Sequence, residues 1–172
     1  MATAKLGRLT GDRSCSSAAL ETATWTGQLT WFAARSPSSV RRNTEATWTP
    51  QVLARWLANK TPVDFRRWIG SADRSVCVAV GDDGQLAAVG MVAWRGEILL
   101  NYVAPEARFL GASKALVAHM EDHLRARGVD RVVLLSTHVA CWFYRSIGYE
   151  ECGRIESRFG TLDAIEMAKP LG

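Results

Sequence analysis

The chain has 172 residues, of which 48% are hydrophobic and 22% are charged, and its formal net charge is +4. This length and composition are typical of one globular domain that buries its own hydrophobic core. The small excess of Lys and Arg favours an anionic ligand such as a nucleotide phosphate, but it is too weak and dispersed to predict nucleic-acid binding.

The sequence also bears on where the protein works. Its cysteines, Cys15, Cys77, Cys141 and Cys152, are scattered without a C-x-x-C pair, which suits a reducing compartment. No apolar run approaches the ~20 residues of a membrane span, and the N-terminus lacks the layout of a signal peptide. We therefore expect a cytoplasmic protein that contacts no membrane.

Residues 1–47 give little information and are predicted to be a poorly defined segment, packed on the domain or peripheral to it. Ala18, Leu20, Trp25, Leu29 and Phe32 are compatible with a helix somewhere in residues 17–34. Two interpretations of that helix stay open, a part of a substrate lid and a peripheral cover of the core. The main domain is predicted to occupy residues 48–172.

Two short helices are predicted at the start of this domain. Thr49-Pro50 and Thr61-Pro62 each place an N-cap residue before a proline at the first helical position. The second helix presents Phe65, Trp68 and Ile69 on one face and ends near Gly70.

Three strands follow. Residues 75–80 alternate and are rich in Val, residues 81–84 form a Gly-Asp turn, and residues 85–94 return as the second strand of an antiparallel hairpin. Arg95-Gly96 is the next turn, and the mostly apolar residues 98–103 form a third strand that ends before Pro105.

A long helix is predicted after this third strand, because Leu116, Val117, Met120 and Leu124 recur at helical spacing. Small residues precede it, so backbone N–H groups at its start lie open. Together with the positive end of the helix dipole they can bind a phosphate or a pyrophosphate. The alternative is an ordinary turn between strand and helix that binds nothing.

The remaining elements complete a mixed sheet. The long helix ends at Arg127-Gly128, and residues 132–135 then form a buried strand parallel to residues 98–103. Residues 138–146 are predicted to be helical, and residues 149–155 and 162–167 to be a final antiparallel pair.

Three familiar kinds of site are not supported: a nucleophile elbow, a phosphate loop and a zinc site. The sequence contains neither a G-x-S-x-G elbow nor a G-x-x-x-x-G-K-[ST] loop. His119 and His123 have a spacing that can bind zinc, but they lack the H-E-x-x-H order and an evident third ligand, so we expect them to face solvent.

Two segments inside this order of elements resemble the GNAT (general-control-related N-acetyltransferase) superfamily. Residues 108–113, Arg-Phe-Leu-Gly-Ala-Ser, are similar to the pyrophosphate motif Gln/Arg-x-x-Gly-x-Gly/Ala. Residues 143–149, Phe-Tyr-Arg-Ser-Ile-Gly-Tyr, are similar to the later motif in which an aromatic residue precedes Tyr-x-x-x-Gly-Phe/Tyr. The resemblance covers residues 75–171, with residues 49–70 as the helices before the hairpin.

The sequence departs from the family pattern at three places. Ser113 stands where Gly or Ala is usual, and Thr137 stands where many members have Asn. The first strand of the family is not recognisable in the opening 47 residues. The resemblance therefore implies an α/β (α+β) fold of GNAT type, with a mixed, mostly antiparallel sheet, a central parallel pair and flanking helices.

The resemblance also implies a site for acetyl-CoA, the co-substrate, without a metal. Tyr144 corresponds to the acid that protonates the leaving thiolate, and Glu97 corresponds to the base of the histone-acetylating branch, acting directly or through water. A solvated Glu97 without a catalytic role is the alternative. The implied cofactor-binding residues are Tyr102, Val103, Arg108, Phe109, Leu110, Gly111, Ala112, Ser113, Lys114, Thr137, Ala140 and Phe143.

The function implied is acetyl transfer from acetyl-CoA to a primary amine of a small molecule or peptide, by direct attack in a ternary complex. A non-catalytic CoA-binding or regulatory module on the same fold is the alternative. Neither nucleic acid nor membrane is an expected partner, and assembly as a homodimer is left open.

Overall fold

A seven-stranded sheet with helices on its faces forms the described part of the molecule. The computed structural model describes the backbone of residues 5–9 and, beyond it, residues 58–80, 86–155 and 164–172. The expected helices in residues 17–34 and after Thr49-Pro50 lie outside these ranges. The elements are β1 (Lys5–Leu9), α1 (Pro62–Ile69), β2 (Arg74–Val80), β3 (Leu86–Ala93), β4 (Glu97–Val103), a 3₁₀ turn (Pro105–Ala107), α2 (Ala112–Arg125), β5 (Arg131–Ser136), α3 (His138–Ser146), β6 (Glu150–Ile155) and β7 (Ala164–Pro170).

The strand order in the sheet is β1-β2-β3-β4-β5-β7-β6. Only β4 and β5 pair in parallel; the other described neighbours are antiparallel. The predicted hairpin, parallel pair and final antiparallel pair are confirmed. Strand β1, which sequence analysis did not recognise, pairs with β2 and forms one edge of the sheet.

Helix α1 begins where the sequence predicts it. The Thr61 hydroxyl accepts a hydrogen bond from the Asp64 N–H at 3.3 Å, and the Asp64 carboxylate accepts one from the Thr61 N–H at 3.1 Å. This reciprocal capping satisfies two N–H groups that the helix itself cannot pair.

No helix in the described ranges is long and apolar enough to cross a bilayer.

Two hydrophobic cores lie on opposite faces of the sheet. Along β2, Val76 and Val78 face one core, whereas Cys77 and Ala79 face the other. The smaller core packs Phe65, Trp68 and Ile69 of α1 against the sheet. The larger core contains buried residues of α2 and α3, among them Leu116, Val117, Met120, Leu124, Cys141 and Tyr144. The sheet therefore separates α1 from α2 and α3.

Candidate active site

The two parallel strands diverge near the middle of the sheet. β4 and β5 pair only at Glu97 with Val133 and at Ile98 with Leu134, although β4 continues to Val103. Beyond Ile98, the edge of β4 that faces β5 has no strand partner in the described structure. We call this opening the split. The backbone of β4 along the split can pair with an extended, amide-bearing ligand.

A β-bulge beside the split changes which side chains face which core. β3 pairs Met91 with Leu100 and Val92 with Ile98, so Leu99 is an extra residue in β4. Ile98 faces the larger core, whereas Leu99 and Leu100 both face the smaller core. The alternation after the bulge therefore turns Asn101 toward α2 and α3.

Asn101 connects these three elements through its side-chain amide. Its Nδ2 donates to the Ser113 hydroxyl at 2.9 Å and to the Tyr144 hydroxyl at 3.2 Å. The Ser113 hydroxyl lies 3.2 Å from Asn101 Oδ1, to which it donates. We call these residues of β4, α2 and α3 the Asn101 cluster.

Tyr144 is held rigidly within this cluster. Its side chain is 7% exposed, and its ring packs edge-on against Phe143 and Tyr149 with centroids 5.0 and 5.5 Å away. Burial raises the pKa of Tyr144, and the hydrogen bond from Asn101 acts in the opposite direction. The hydroxyl therefore carries its proton at neutral pH, as a general acid must.

The loop before α2 presents open backbone groups. Gly111 is the N-cap residue with φ of 85°, and no side chain caps this end of the helix. Phe109 also has a positive φ, of 62°, and the side chains of Phe109 and Leu110 are exposed. A Cβ built at Gly111 meets nothing within 4 Å, so the space above the first turn is open. These features fit the predicted pyrophosphate seat.

The cations near this seat differ in exposure. Arg108 is half-buried at the end of the loop, and Lys114 is exposed in the first turn of α2. Ala112 is buried beneath the turn, in the larger core. The fully exposed Phe109 and the exposed Leu110 place their backbone, rather than an apolar pocket, at the seat.

Across the split, the start of α3 carries three more predicted residues. Thr137 is the N-cap of α3, and its hydroxyl accepts from the Ala140 N–H at 3.4 Å while its own proton remains available to donate. Ala140 and Phe143 are half-buried against the larger core. On β4, the side chain of Val103 packs on the larger core and that of Tyr102 on the smaller core, and both backbones border the split.

Glu97 lies apart from the Asn101 cluster. It occupies the closed end of the split, about 13 Å along the strand from Asn101 at 3.3 Å per residue. Its carboxylate accepts from Nε of Arg95 at 2.8 Å and also contacts Nη2. Because Ile98 faces the larger core, alternation places Glu97 on the other face of the sheet. The structure thus brings Tyr144 and Ser113 together but sets Glu97 on the opposite face.

Sequence analysis did not single out Asn101. The available signal was an amide residue inside an otherwise apolar and aromatic strand. Regular alternation along β4, without the bulge, would have placed that residue on the face away from Tyr144.

His119 and His123, expected to face solvent, are instead half-buried, with ring centroids 4.4 Å apart. In the described ranges, no three His, Cys, Asp or Glu side chains are grouped to hold a metal ion.

Comparison with known proteins places this arrangement in a family. The family model of the acetyltransferase (GNAT) domain matches residues 44–171. The protein belongs to the GNAT acetyltransferase family. No curated protein matches the chain.

Solved GNAT structures share the fold over nearly the whole chain. PaiA N-acetyltransferase from Thermoplasma acidophilum, in complex with coenzyme A, is 15% identical with a TM-score of 0.73, covering 98% of this chain and 99% of that one. A GCN5-related N-acetyltransferase from Rhodopseudomonas palustris is 15% identical with a TM-score of 0.71, covering 98% and 96%.

A third structure matches a shorter part of the chain, but its sequence identity over that part is higher. Nourseothricin acetyltransferase is 32% identical over 59% of this chain and 67% of its own, with a TM-score of 0.53. The family assignment establishes acetyl transfer as the general activity of this GNAT domain, while the acceptor is a separate question.

Proposed function

We propose that the protein is an N-acetyltransferase that moves the acetyl group of acetyl-CoA to a primary amine of a small molecule or peptide, by direct attack in a ternary complex. The observation that carries this proposal is the position of the Tyr144 hydroxyl. It is buried beside the split, and its only hydrogen-bonding partner among the described residues is Asn101, which donates to it.

Acetyl-CoA binding is assigned to the two sides of the split. The N–H groups from Phe109 to Lys114 hold the pyrophosphate at the start of α2, with the Arg108 and Lys114 side chains adding positive charge. The backbone at Tyr102–Val103 pairs with the pantetheine amides, and an N–H of this segment polarises the thioester carbonyl. Thr137, Ala140 and Phe143 border the arm from α3.

The chemical step requires one proton to leave the amine and one to reach the sulfur. The amine nitrogen bonds to the acetyl carbon, the carbon–sulfur bond breaks, and the sulfur takes the Tyr144 hydroxyl proton. Glu97, directly or through water, accepts the proton of the amine. Because Glu97 lies about 13 Å along β4 from Asn101, transfer of the amine proton through water is the favoured route.

The acceptor proposed first is a small-molecule amine. The support is the 32% identity to nourseothricin acetyltransferase, which exceeds the 15% identity to the Thermoplasma acidophilum and Rhodopseudomonas palustris proteins. Nourseothricin is therefore the first compound to test, followed by aminoglycosides, polyamines, amino acids and peptides with a free N-terminus.

The decisive experiment measures thiol release from acetyl-CoA with this amine panel, and then compares Tyr144→Phe with Tyr149→Phe. Both replacements remove one buried hydroxyl, but only Tyr144 borders the split. We expect Tyr144→Phe to lower turnover about 10²- to 10⁴-fold with little change in acetyl-CoA affinity by calorimetry. Tyr149→Phe should keep turnover within several-fold.

Two other results would change the proposal. Full turnover in Tyr144→Phe removes the acid assignment. Tight acetyl-CoA binding without thiol release for any amine favours the non-catalytic CoA-binding module.

A further inference from the structure

We propose that Asn101 is a positioning residue for acetyl transfer: its Nδ2–H donates to the Tyr144 oxygen, directs the Tyr144 O–H toward the split, and stabilises the phenolate that remains when the proton has moved to sulfur. This inference rests on the proposed acid role of Tyr144. It assigns a second residue to the same step and explains why the bulge at Leu99 matters.

The hydrogen bond between Asn101 and Tyr144 has a direction that suits an acid. A phenolic oxygen that accepts from an amide keeps its own proton free for another acceptor. Among the described residues, none accepts the Tyr144 proton. The free proton lies beside the split, where the thiolate leaves.

Asn101 also acts on Tyr144 electrostatically. Tyr144 is buried, and burial disfavours its charged form, which raises its pKa and makes it a weaker acid. Asn101 is the group that acts against this effect, because an N–H donor stabilises a phenolate more than a neutral phenol. Its contribution is therefore largest after the proton has left.

Ser113 fixes the position of the Asn101 side-chain amide. Ser113 Oγ lies within hydrogen-bonding distance of both ends of the Asn101 amide, at 2.9 Å from Nδ2 and 3.2 Å from Oδ1. The two residues sit on β4 and in the first turn of α2, so the amide is fixed from two elements. The same first turn contributes to the proposed pyrophosphate seat, which links substrate binding to the acid.

The proton balance of the step is closed. The amine loses one proton to Glu97 or water, Tyr144 gives one proton to the sulfur, and the phenolate is reprotonated from solvent. The net change is one amine and acetyl-CoA converted to one acetamide and free CoA thiol. Asn101 exchanges no proton in this sequence.

The test compares Asn101→Asp with Asn101→Ala by single-turnover rates of acetyl transfer. Asp has nearly the shape of Asn but its carboxylate only accepts, so it captures the Tyr144 proton and opposes the phenolate. We expect a loss of about tenfold to a hundredfold in Asn101→Ala and a larger loss in Asn101→Asp. The KM of the amine and the affinity for acetyl-CoA should change by less than about threefold, because the proposed seat binds through backbone N–H groups of α2 that both variants keep.

A double-mutant cycle supplies the second readout. In the Tyr144→Phe background the acid is absent, so Asn101→Ala should cost no further rate. Ser113→Ala keeps its backbone N–H at the proposed seat but removes the hydroxyl that supports the Asn101 amide. This variant should lose less rate than Asn101→Ala. If Asn101→Asp does not fold by circular dichroism, the Asn101→Ala cycle alone decides the matter.

The proposal is overturned by wild-type rates in Asn101→Asp, which would mean that Tyr144 donates to residue 101. Full additivity of the Asn101→Ala and Tyr144→Phe losses would also overturn it. If the Asn101 variants keep wild-type rates while Tyr144→Phe is slow, this inference is wrong but the proposed acid role of Tyr144 stands. An unimpaired Tyr144→Phe instead removes the proposed acid on which it rests.

Discussion

Helix α2 carries two polar clusters, and each includes a buried tyrosine. Near its start, Ser113 joins the Asn101 cluster, in which the Tyr144 oxygen accepts from a neutral amide. About two turns later, Glu121 accepts from the Tyr149 hydroxyl at 3.0 Å and from Lys169 Nζ at 2.8 Å. We call Glu121, Tyr149 and Lys169 the Glu121 cluster.

The two clusters differ in what happens to the tyrosine proton. In the Glu121 cluster the proton is committed to a carboxylate that is itself 3% exposed and ion-paired. In the Asn101 cluster no described residue accepts the Tyr144 proton, and the neighbouring helix start is open around Gly111. The direction of the hydrogen bond thus distinguishes Tyr149, which fastens α2 to the turn before β6, from Tyr144, which can act as an acid.

The largest effect on folding is expected from Glu121→Ala. Removing the carboxylate leaves the half-buried Lys169 ammonium and the buried Tyr149 hydroxyl without their shared partner. Loss of one member of a fully buried ion pair typically lowers the free energy of unfolding by about 3–5 kcal/mol. Because the Lys169 side chain is 22% exposed, we expect a loss near the lower end of that range. Urea unfolding followed by circular dichroism measures this change.

Asp122→Ala is the matched control on the adjacent residue. Asp122 forms an exposed ion pair with Arg125 at 2.7 Å, so its removal should change the free energy of unfolding by less than about 1 kcal/mol. Equal losses in the two variants would show that the Glu121 cluster does not fasten α2. Folded Glu121→Ala should retain wild-type turnover.

The second prediction concerns the two ends of α2. Gly111 and Gly128 have φ of 85° and 74°, and a Cβ at either meets nothing within 4 Å. Alanine at either position therefore pays a backbone cost of about 1–2 kcal/mol without a clash. Only at Gly111 would the new side chain also enter the proposed pyrophosphate seat.

Calorimetry with acetyl-CoA separates these two effects. Gly111→Ala should weaken binding, Gly111→Val should weaken it more, and Gly128→Ala should leave the affinity unchanged. Full affinity in Gly111→Val contradicts the pyrophosphate seat. Reduced affinity in Gly128→Ala would trace the effect to helix stability instead.

The two clusters also show how far sequence can predict this protein. Tyr144 and Gly111 belong to local motifs, in which spacing along the chain fixes the environment, and both were found. Apolar periodicity placed α2, and Thr61-Pro62 placed the start of α1, because these signals depend on neighbours only a few residues away.

Long-range features could not be predicted in the same way. Asn101 meets Tyr144 across 43 residues of chain, and it does so because one extra residue at Leu99 reverses the alternation of β4. Strand β1 is held by pairing with β2, some seventy residues away, rather than by a recognisable local pattern. The domain limits and the roles of the site residues, including Tyr144 and Glu97, remain predictions.

The smallest effect is a dependence of stability on alkaline pH. Burial, followed by the negative charge of Glu121, raises the pKa of Tyr149 above its ordinary value, and burial also raises that of Tyr144. Below pH about 10, both the folded and the unfolded chain keep these protons, and the stabilisation is complete. Above it the unfolded chain releases them first, so stability falls as pH rises toward the folded-state pKa values.

Urea unfolding of wild type, Tyr144→Phe and Tyr149→Phe between pH 9 and pH 11 measures this dependence. Each tyrosine with a raised pKa contributes a slope of at most about 1.4 kcal/mol per pH unit to the free energy of unfolding. Each variant should lose one such contribution. The titration of lysines is the same in all three proteins and cancels in the comparison. Parallel profiles for all three proteins would contradict the assignment. If only Tyr149→Phe loses a slope, the pKa of Tyr144 is closer to its ordinary value than that of Tyr149. That result is expected if the hydrogen bond that Asn101 donates lowers the pKa of Tyr144, while the carboxylate of Glu121 raises the pKa of Tyr149.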